Sequence, residues 1–332
     1  MALRLLEAYV PKELAESTAD ALREAAAEEV WTWERGPLGA VVSAVIGAGR
    51  TGAAIDLLYE RFAQVDDFRA IVLPLDAMLP RPPASASREE RTSARSAAAV
   101  SREEIYASVS DGAKLDTTYL LLTVLATVVA AVGLVHNNTA AVIGAMVVAP
   151  LLGPNMALAL GLTLGDNELV RGAVRTALAG LGAALATAFV MGVVLQPDPS
   201  VPEIAARTRP ALTDMLLALA AGCAGTLAYA TGASTYLVGV MVAVALLPPT
   251  VVCGLLLGEV LLVEASRAFL LTLANVAAIL LSAMATFRWK GLQPRNWWEA
   301  QRAERSASRG LRMTVVLFVV LGAAIVAAGF LD

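Results

Sequence analysis

The chain has 332 residues, 58% of them hydrophobic and 16% charged, with a formal net charge of -4 and a pI near 5.3. That balance leaves no basic footprint for nucleic acid. The two cysteines, Cys223 and Cys253, both sit in apolar runs and argue against a disulfide framework or a zinc site.

The average conceals two compositions. Residues 1–116 read as an ordinary soluble domain, whereas from residue 117 onward nearly every window suits a bilayer. The opening residues lack a basic start followed by a sustained apolar core, so the N-terminal part is expected to remain cytoplasmic. Residues 3–10 read as a strand ended by Pro11, and 12–27 as a helix with Leu14, Ala21, Leu22 and Ala25 on one stripe. Strands follow at 30–34 and 40–46 around a Gly36-Pro37 turn, then a helix over 51–63 and a strand over 69–75. The order β-α-β-β-α-β predicts a small α+β, ferredoxin-like domain over 1–79. The glycines of Gly47-Ala-Gly49-Arg-Thr-Gly52 read as turn chemistry, because no Lys-Ser/Thr pair follows as a phosphate-binding loop requires. Residues 80–100 form a Pro/Ser/Ala/Arg linker. Ser101-Arg-Glu-Glu104 then fits a capping box for an amphipathic helix over 101–116, expected along the inner membrane surface.

Seven apolar spans follow, at 117–135, 139–164, 169–195, 212–230, 235–257, 264–287 and 311–331. Each is long enough to cross a hydrocarbon core of about 30 Å at about 1.5 Å per residue. The second and fifth carry prolines, Pro150 and Pro154 in one and Pro248 and Pro249 in the other. Proline removes an amide donor and crowds the preceding turn, so both helices are expected to be broken.

These two spans align. Setting Gly144 on Gly239 gives an offset of 95 positions (239 − 144), which places Met146 on Met241, Leu151-Leu152 on Leu246-Leu247, Pro154 on Pro249 and Asn155 on Thr250. The predicted architecture is two three-helix repeats, 117–196 and 212–287, separated by an outer loop at 197–211. An odd number of spans per repeat makes the two copies inverted. A basic cytoplasmic loop at 288–310, with Arg288, Lys290, Arg295, Arg302, Arg305, Arg309 and Arg312 in or beside it, leads to a last helix over 311–332. That basic loop places both the N-terminal domain and itself in the cytoplasm.

The stretch from Ala141 to Asn155, the Leu164-Gly-Asp166 after it, Glu203-Ile-Ala-Ala-Arg-Thr208, the stretch from Val238 to Pro249 and Trp297-Trp-Glu-Ala300 resemble the prokaryotic membrane proteins grouped as domain-of-unknown-function family 389. The likeness covers most of the chain. It implies a multi-span inner-membrane protein and brings no activity with it.

Paired, proline-interrupted spans are the strongest sequence pointer to a transporter-like binding site. Asn155 and Thr250 follow the prolines and either contact a ligand or cap the second half-helix. Pro150, Gly153, Pro154, Pro248 and Pro249 shape that candidate site. Gly144, Gly153 and Gly239 are expected to permit close packing more than to touch a ligand. Asn275, deep in the sixth span, is helix glue or a ligand contact. Candidate gates are Asp166 and Glu168 on the inner side and Glu203, Arg207, Thr208 and Asp214 on the outer side. Solvated loop charges or a structural clasp are the plainer readings. Nothing in the sequence supplies a nucleophile elbow, metal-ligand spacing or a carboxylate pair, so neither an enzyme, a metal nor a cofactor is expected. The expected function is a transporter or channel for a small solute or ion, embedded in the lipid bilayer and assembled as a homo-oligomer. The alternative is a non-transporting sensor or scaffold whose soluble domain binds a ligand or partner.

Overall fold

The computed structural model describes residues 3–35, 39–65, 68–75, 102–231, 235–292 and 297–329. The expected Gly36-Pro37 turn, the 80–100 linker and Ser101 of the capping box lie outside the described residues. The chain divides into two compact units, Met1–Ile105 and Tyr106–Asp332.

The first unit is a four-stranded antiparallel sheet in the order β2-β3-β1-β4, built from β1 (Leu3–Val10), β2 (Glu29–Arg35), β3 (Gly39–Gly47) and β4 (Arg69–Leu75). Two helices, α1 (Ala15–Glu24) and α2 (Ala48–Phe62), complete it. Alternation fixes the covered face: Leu6, Ala8 and Val10 of β1 and Val42, Ala44 and Ile46 of β3 meet Leu22, Leu58 and Phe62 of the helices. Each fully buried Leu or Ile contributes about 1.5–3 kcal/mol. α1 is shorter than the sequence predicts, because residues 12–14 take a 3-10 turn behind Pro11. α2 starts three residues early. Gly47 is its N-cap in extended geometry, so the glycine run expected as a turn is the first turn of a helix.

The second unit is helical: α4 (Thr117–Val135), α5 (Thr139–Val148), α6 (Leu152–Leu164), α7 (Asn167–Leu195), α8 (Pro202–Thr208), α9 (Leu212–Thr231), α10 (Thr235–Gly258), α11 (Leu262–Trp289) and α12 (Trp297–Gly329). The unit boundary falls inside α3 (Arg102–Asp111). Among the described residues, six helices are long and apolar enough to cross a membrane, or seven if the bent pair α5–α6 is one span. Large apolar side chains face outward along them, as Leu121, Leu125, Val129 and Val132 do on α4. In water such stripes would form an extensive apolar surface, whereas hydrocarbon solvates them. This half of the molecule has the surface of a multi-pass membrane protein.

The segment after α3 is docked on its unit and does not merely rest at a surface. The Thr176 hydroxyl of α7 donates to the Ala113 carbonyl at 2.7 Å. A Cβ on Gly153 would collide with the Gly112 carbonyl, so α6 meets this segment backbone to backbone. The expected 288–310 loop is also shorter. α11 runs to Trp289, and α12 is already helical at Trp297, 13 residues before its apolar stretch at Gly310–Ala327 (310 − 297).

Helix starts repeat with the predicted offset. α4 and α9 begin 95 positions apart (212 − 117), as do α7 and α11 (262 − 167). The packing repeats as well: α4 lies on α7 as α9 lies on α11, and the middle element of each set packs on the third helix of the other, α10 on α7 and α6 on α11.

The α7–α10 seam is closed by glycine. A Cβ on Gly254 would meet the Ala188 methyl at 2.5 Å and the Leu185 carbonyl at 2.9 Å, and one on Gly258 would meet the Phe189 carbonyl at 2.6 Å. Small residues four apart thus bring two backbones together, as membrane helices do in the absence of a hydrophobic drive between them. By contrast, Gly144 faces open space and Gly239 has only ordinary contact with Leu152, so close packing falls to Gly153 alone of the three glycines expected to provide it. Gly254→Leu should force this seam apart and lower stability by about 3 kcal/mol or more, read as a fall in thermal unfolding midpoint in detergent. Gly144→Leu should leave that midpoint nearly unchanged.

Candidate functional site

The two proline segments resolve differently. In the first, α5 ends at Val148 and α6 starts at Leu152, bent by 54°. Pro150 disfavours helical geometry in the residue before it, and Ala149 is extended at φ -68 and ψ 120. Pro154 falls in the first turn of α6, where a missing amide costs little. In the second, α10 runs unbroken from Thr235 to Gly258 with Pro248 and Pro249 inside it. The expected second break is absent, for two reasons. At the 95-residue offset the residue matching Pro150 is Ala245, which has no reason to leave the helix. Pro249 cannot donate to the Ala245 carbonyl, and Asn275 of α11 does so instead, its Nδ2 2.8 Å away. A side chain from the neighbouring helix thus supplies one of the two donors that Pro248 and Pro249 withhold.

Asn155 and Thr250 have matching local roles. The Asn155 amide donates to the Leu151 carbonyl at 2.7 Å, and the Thr250 hydroxyl donates to the Leu246 carbonyl at 2.7 Å. Both are buried. Both also line one cavity of about 200 Å³, walled by residues of α4, α6, α7, α10 and α11. Pro154 lines it too, whereas Pro150, Gly153, Pro248, Pro249 and Asn275 do not.

The lining is paired across the two helix sets. Asn155 and Thr250, Leu151 and Leu246, and Ala177 and Thr272 are each 95 positions apart and each in the wall. So are Leu178 with Leu273 and Leu181 with Val276. The cavity therefore lies where equivalent surfaces of the two sets face each other. Thr272 and Tyr119 were not singled out from sequence. The signal for Thr272 was the same offset, extended from the proline spans to the third helix of each set.

The wall is apolar apart from Tyr119, Asn155, Thr250 and Thr272, and none of its residues is charged. The Thr272 hydroxyl donates to the Ala268 carbonyl at 3.0 Å, so both threonines have already spent their protons. The Tyr119 hydroxyl is buried against Gly180 without a partner among the described residues. Asn275 Oδ1 is likewise unpartnered.

The gate candidates fall in two places away from the cavity. Glu203 on α8 receives Arg207 Nη1 at 2.6 Å and the Thr139 hydroxyl at 2.6 Å, while its own backbone amide donates to Asn137 Oδ1 at 3.3 Å. This clasp ties α8 to the α4–α5 turn, with Ile204 fully buried beneath it. Thr208 donates to the Ala205 carbonyl, and Asp214 accepts from the Ala211 amide beside the start of α9. At the other place, Asp166 is the N-cap of α7, accepting from the Glu168 and Leu169 amides at 3.0 Å each. Its second oxygen accepts from the Tyr106 hydroxyl at 2.7 Å. Glu168 is exposed.

Two outcomes follow. Asn275→Ala should strand the Ala245 carbonyl and lower stability by about 1–3 kcal/mol, seen as a lower unfolding midpoint; restoring a donor with Asn275→Gln should recover part of it. The Asp166 hydrogen bond raises the Tyr106 pKa to about 12. A phenol whose folded pKa lies above its unfolded value of about 10 contributes stability that is complete below the unfolded value and lost as pH rises through the folded one. The stability gap between wild type and Tyr106→Phe should therefore be constant up to about pH 10 and close towards pH 12, in midpoints measured across that range.

Residues 146–281 match the family model described as a domain of unknown function, DUF389. An uncharacterised protein of Methanocaldococcus jannaschii is 31% identical over 327 residues, spanning 97% of this chain and 98% of that one. No solved structure matches the chain. With identity of this extent along nearly the whole length of both proteins, the chain belongs to the DUF389 family.

Proposed function

We propose that this protein is a transporter or channel for a small solute, formed by two inverted three-helix repeats with the binding site in the cavity between them. The carrying observation is the pairing of the cavity wall, in which Asn155 and Thr250, and Ala177 and Thr272, come from equivalent positions of the two helix sets. A site at a repeat interface, beside a discontinuous helix, is where alternating-access proteins hold their substrate. In this reading the Glu203–Arg207 clasp closes one end and the Asp166–Tyr106 contact the other. The protein sits in the prokaryotic inner membrane as a homo-oligomer without enzymatic activity. The N-terminal unit faces the cytoplasm as a ferredoxin-like module, a reading supported by its four-stranded antiparallel sheet and two helices, and it regulates or assembles the helical part.

One observation favours a second reading, a sensor or scaffold that moves nothing. α10 is continuous, and the Asn155, Thr250 and Thr272 side chains all satisfy their own helices.

Aqueous access separates the two. With Cys223 and Cys253 replaced by serine, single cysteines at Asn155 or Thr250 are exposed to impermeant thiol reagents on either membrane face. Labelling from both faces is expected for a permeation path. Absence of labelling from either face, in folded protein, would sink the transport reading and leave the sensor.

A further inference from the structure

We infer that the cavity between the helix sets takes an uncharged amphiphile of about the size of a benzene ring, admitted from the hydrocarbon layer past Leu178. The inference gives the proposed transport site its ligand class, and it rests on that site for location.

Charge is decided by the wall. No Asp, Glu, Lys, Arg or His lines the cavity, so an ion entering it would lose its hydration with no opposite charge in return. The size follows from the volume. An apolar cavity of about 150 Å³ holds benzene, and one of about 200 Å³ leaves room for one polar substituent as well. The polar part of the wall offers both kinds of partner, since the Tyr119 hydroxyl has no partner among the described residues and keeps its proton to donate. Thr250 and Thr272 donate to their own helices and keep only acceptor lone pairs. A hydroxyl on the ligand, donating to these oxygens, fits the polar part of the wall, and the remaining apolar wall fits a ring or short chain.

The route follows from Leu178, which lines the cavity and is also 62% exposed. It stands 11 residues into the 29-residue α7 (178 − 167), about 16 Å from the helix start. Exposed Arg175 lies only three residues before Leu178 (178 − 175), so the opening is at the polar edge of the uncharged stretch that follows. Leu273 occupies the equivalent position on α11 and is partly exposed, so the mouth has a matching residue from each set. A ligand that dissolves in lipid reaches this opening without crossing water.

The test uses the full chain in nanodiscs. Fluorine NMR follows 4-fluorophenol, and in parallel 4-fluorobenzoate, at neutral pH. Saturable broadening of the fluorophenol signal, displaced by unlabelled phenol and absent for fluorobenzoate, is expected. Thr250→Val, which keeps shape and loses the acceptor, should weaken binding about fivefold. Fluorobenzoate binding as well as or better than the phenol would overturn the charge assignment. Fluorophenol broadening that is not saturable reports lipid partitioning alone and would overturn the site; this comparison needs no variant to fold. For the route, a spin label at Leu178→Cys, in the Cys223→Ser, Cys253→Ser background, should be more accessible to oxygen than to a nickel chelate. A label reached better by nickel, or by neither because a second copy covers it, would overturn lateral entry. Failure of the transport reading looks different: thiols at 155 and 250 unreachable from water while the phenol still binds. Thiols reachable from both faces with no phenol bound would remove this inference and leave transport standing.

Discussion

A backbone carbonyl in hydrocarbon must find a donor, and the helical half of this protein is arranged around the places where its own sequence withholds one. Pro249 removes the partner of the Ala245 carbonyl, and the Asn275 amide replaces it from a different helix. Pro150 takes the other course: the chain leaves the helix for three residues, 149–151, and restarts. One proline span thus stays a single helix with a donor from its neighbour, and the other is bent. Buried threonines obey the same constraint, with Thr123, Thr127, Thr163 and Thr226 each donating four residues back along its own helix. Polar atoms in this bundle are few and mostly committed, which makes the Tyr119 hydroxyl and the Asn275 Oδ1, unpartnered among the described residues, conspicuous.

Packing then follows from exchange between the two helix sets. Because α10 lies on α7 and α6 on α11, neither set has a complete interior by itself. Glycine lets α7 and α10 approach to backbone contact at Gly254 and Gly258. The cavity lies between the sets, with Leu181 of α7 and Val276 of α11 in its wall. The family assignment adds a relative of matching length and no chemistry. The functional argument therefore stands on this geometry.

Much of this was legible in the residues. Hydropathy located the helices, and the 95-residue alignment of Gly144 with Gly239 anticipated helix starts that the structure repeats at Thr117 and Leu212. The same alignment brought Asn155 and Thr250 into correspondence, and the structure puts both on one cavity. What sequence could not show was the fate of Pro248 and Pro249. Proline in an apolar run predicts a break only if nothing else donates, and the donor here is 30 residues away from Ala245 (275 − 245). The start of α12 at Trp297 was hidden for a related reason, since a run rich in Arg, Glu and Ala is helical by propensity yet reads as a loop when hydropathy is the only guide. Tyr119 escaped notice because one aromatic hydroxyl in an apolar span has no pattern around it.

The interruption at Ala149-Pro150-Leu151 has a mechanical consequence. Resistance of a helix to bending comes from its ladder of hydrogen bonds; that ladder stops for three residues in one set, while in the other it lacks only the donors of Pro248 and Pro249, one of them replaced by Asn275. Compliance is accordingly one-sided. α10 packs on α7 and α11 and is pinned by Asn275, while α5 and α6 meet at a bend whose far side carries Asn155 into the cavity wall. Two surfaces that are equivalent in sequence position are thereby unequal in stiffness.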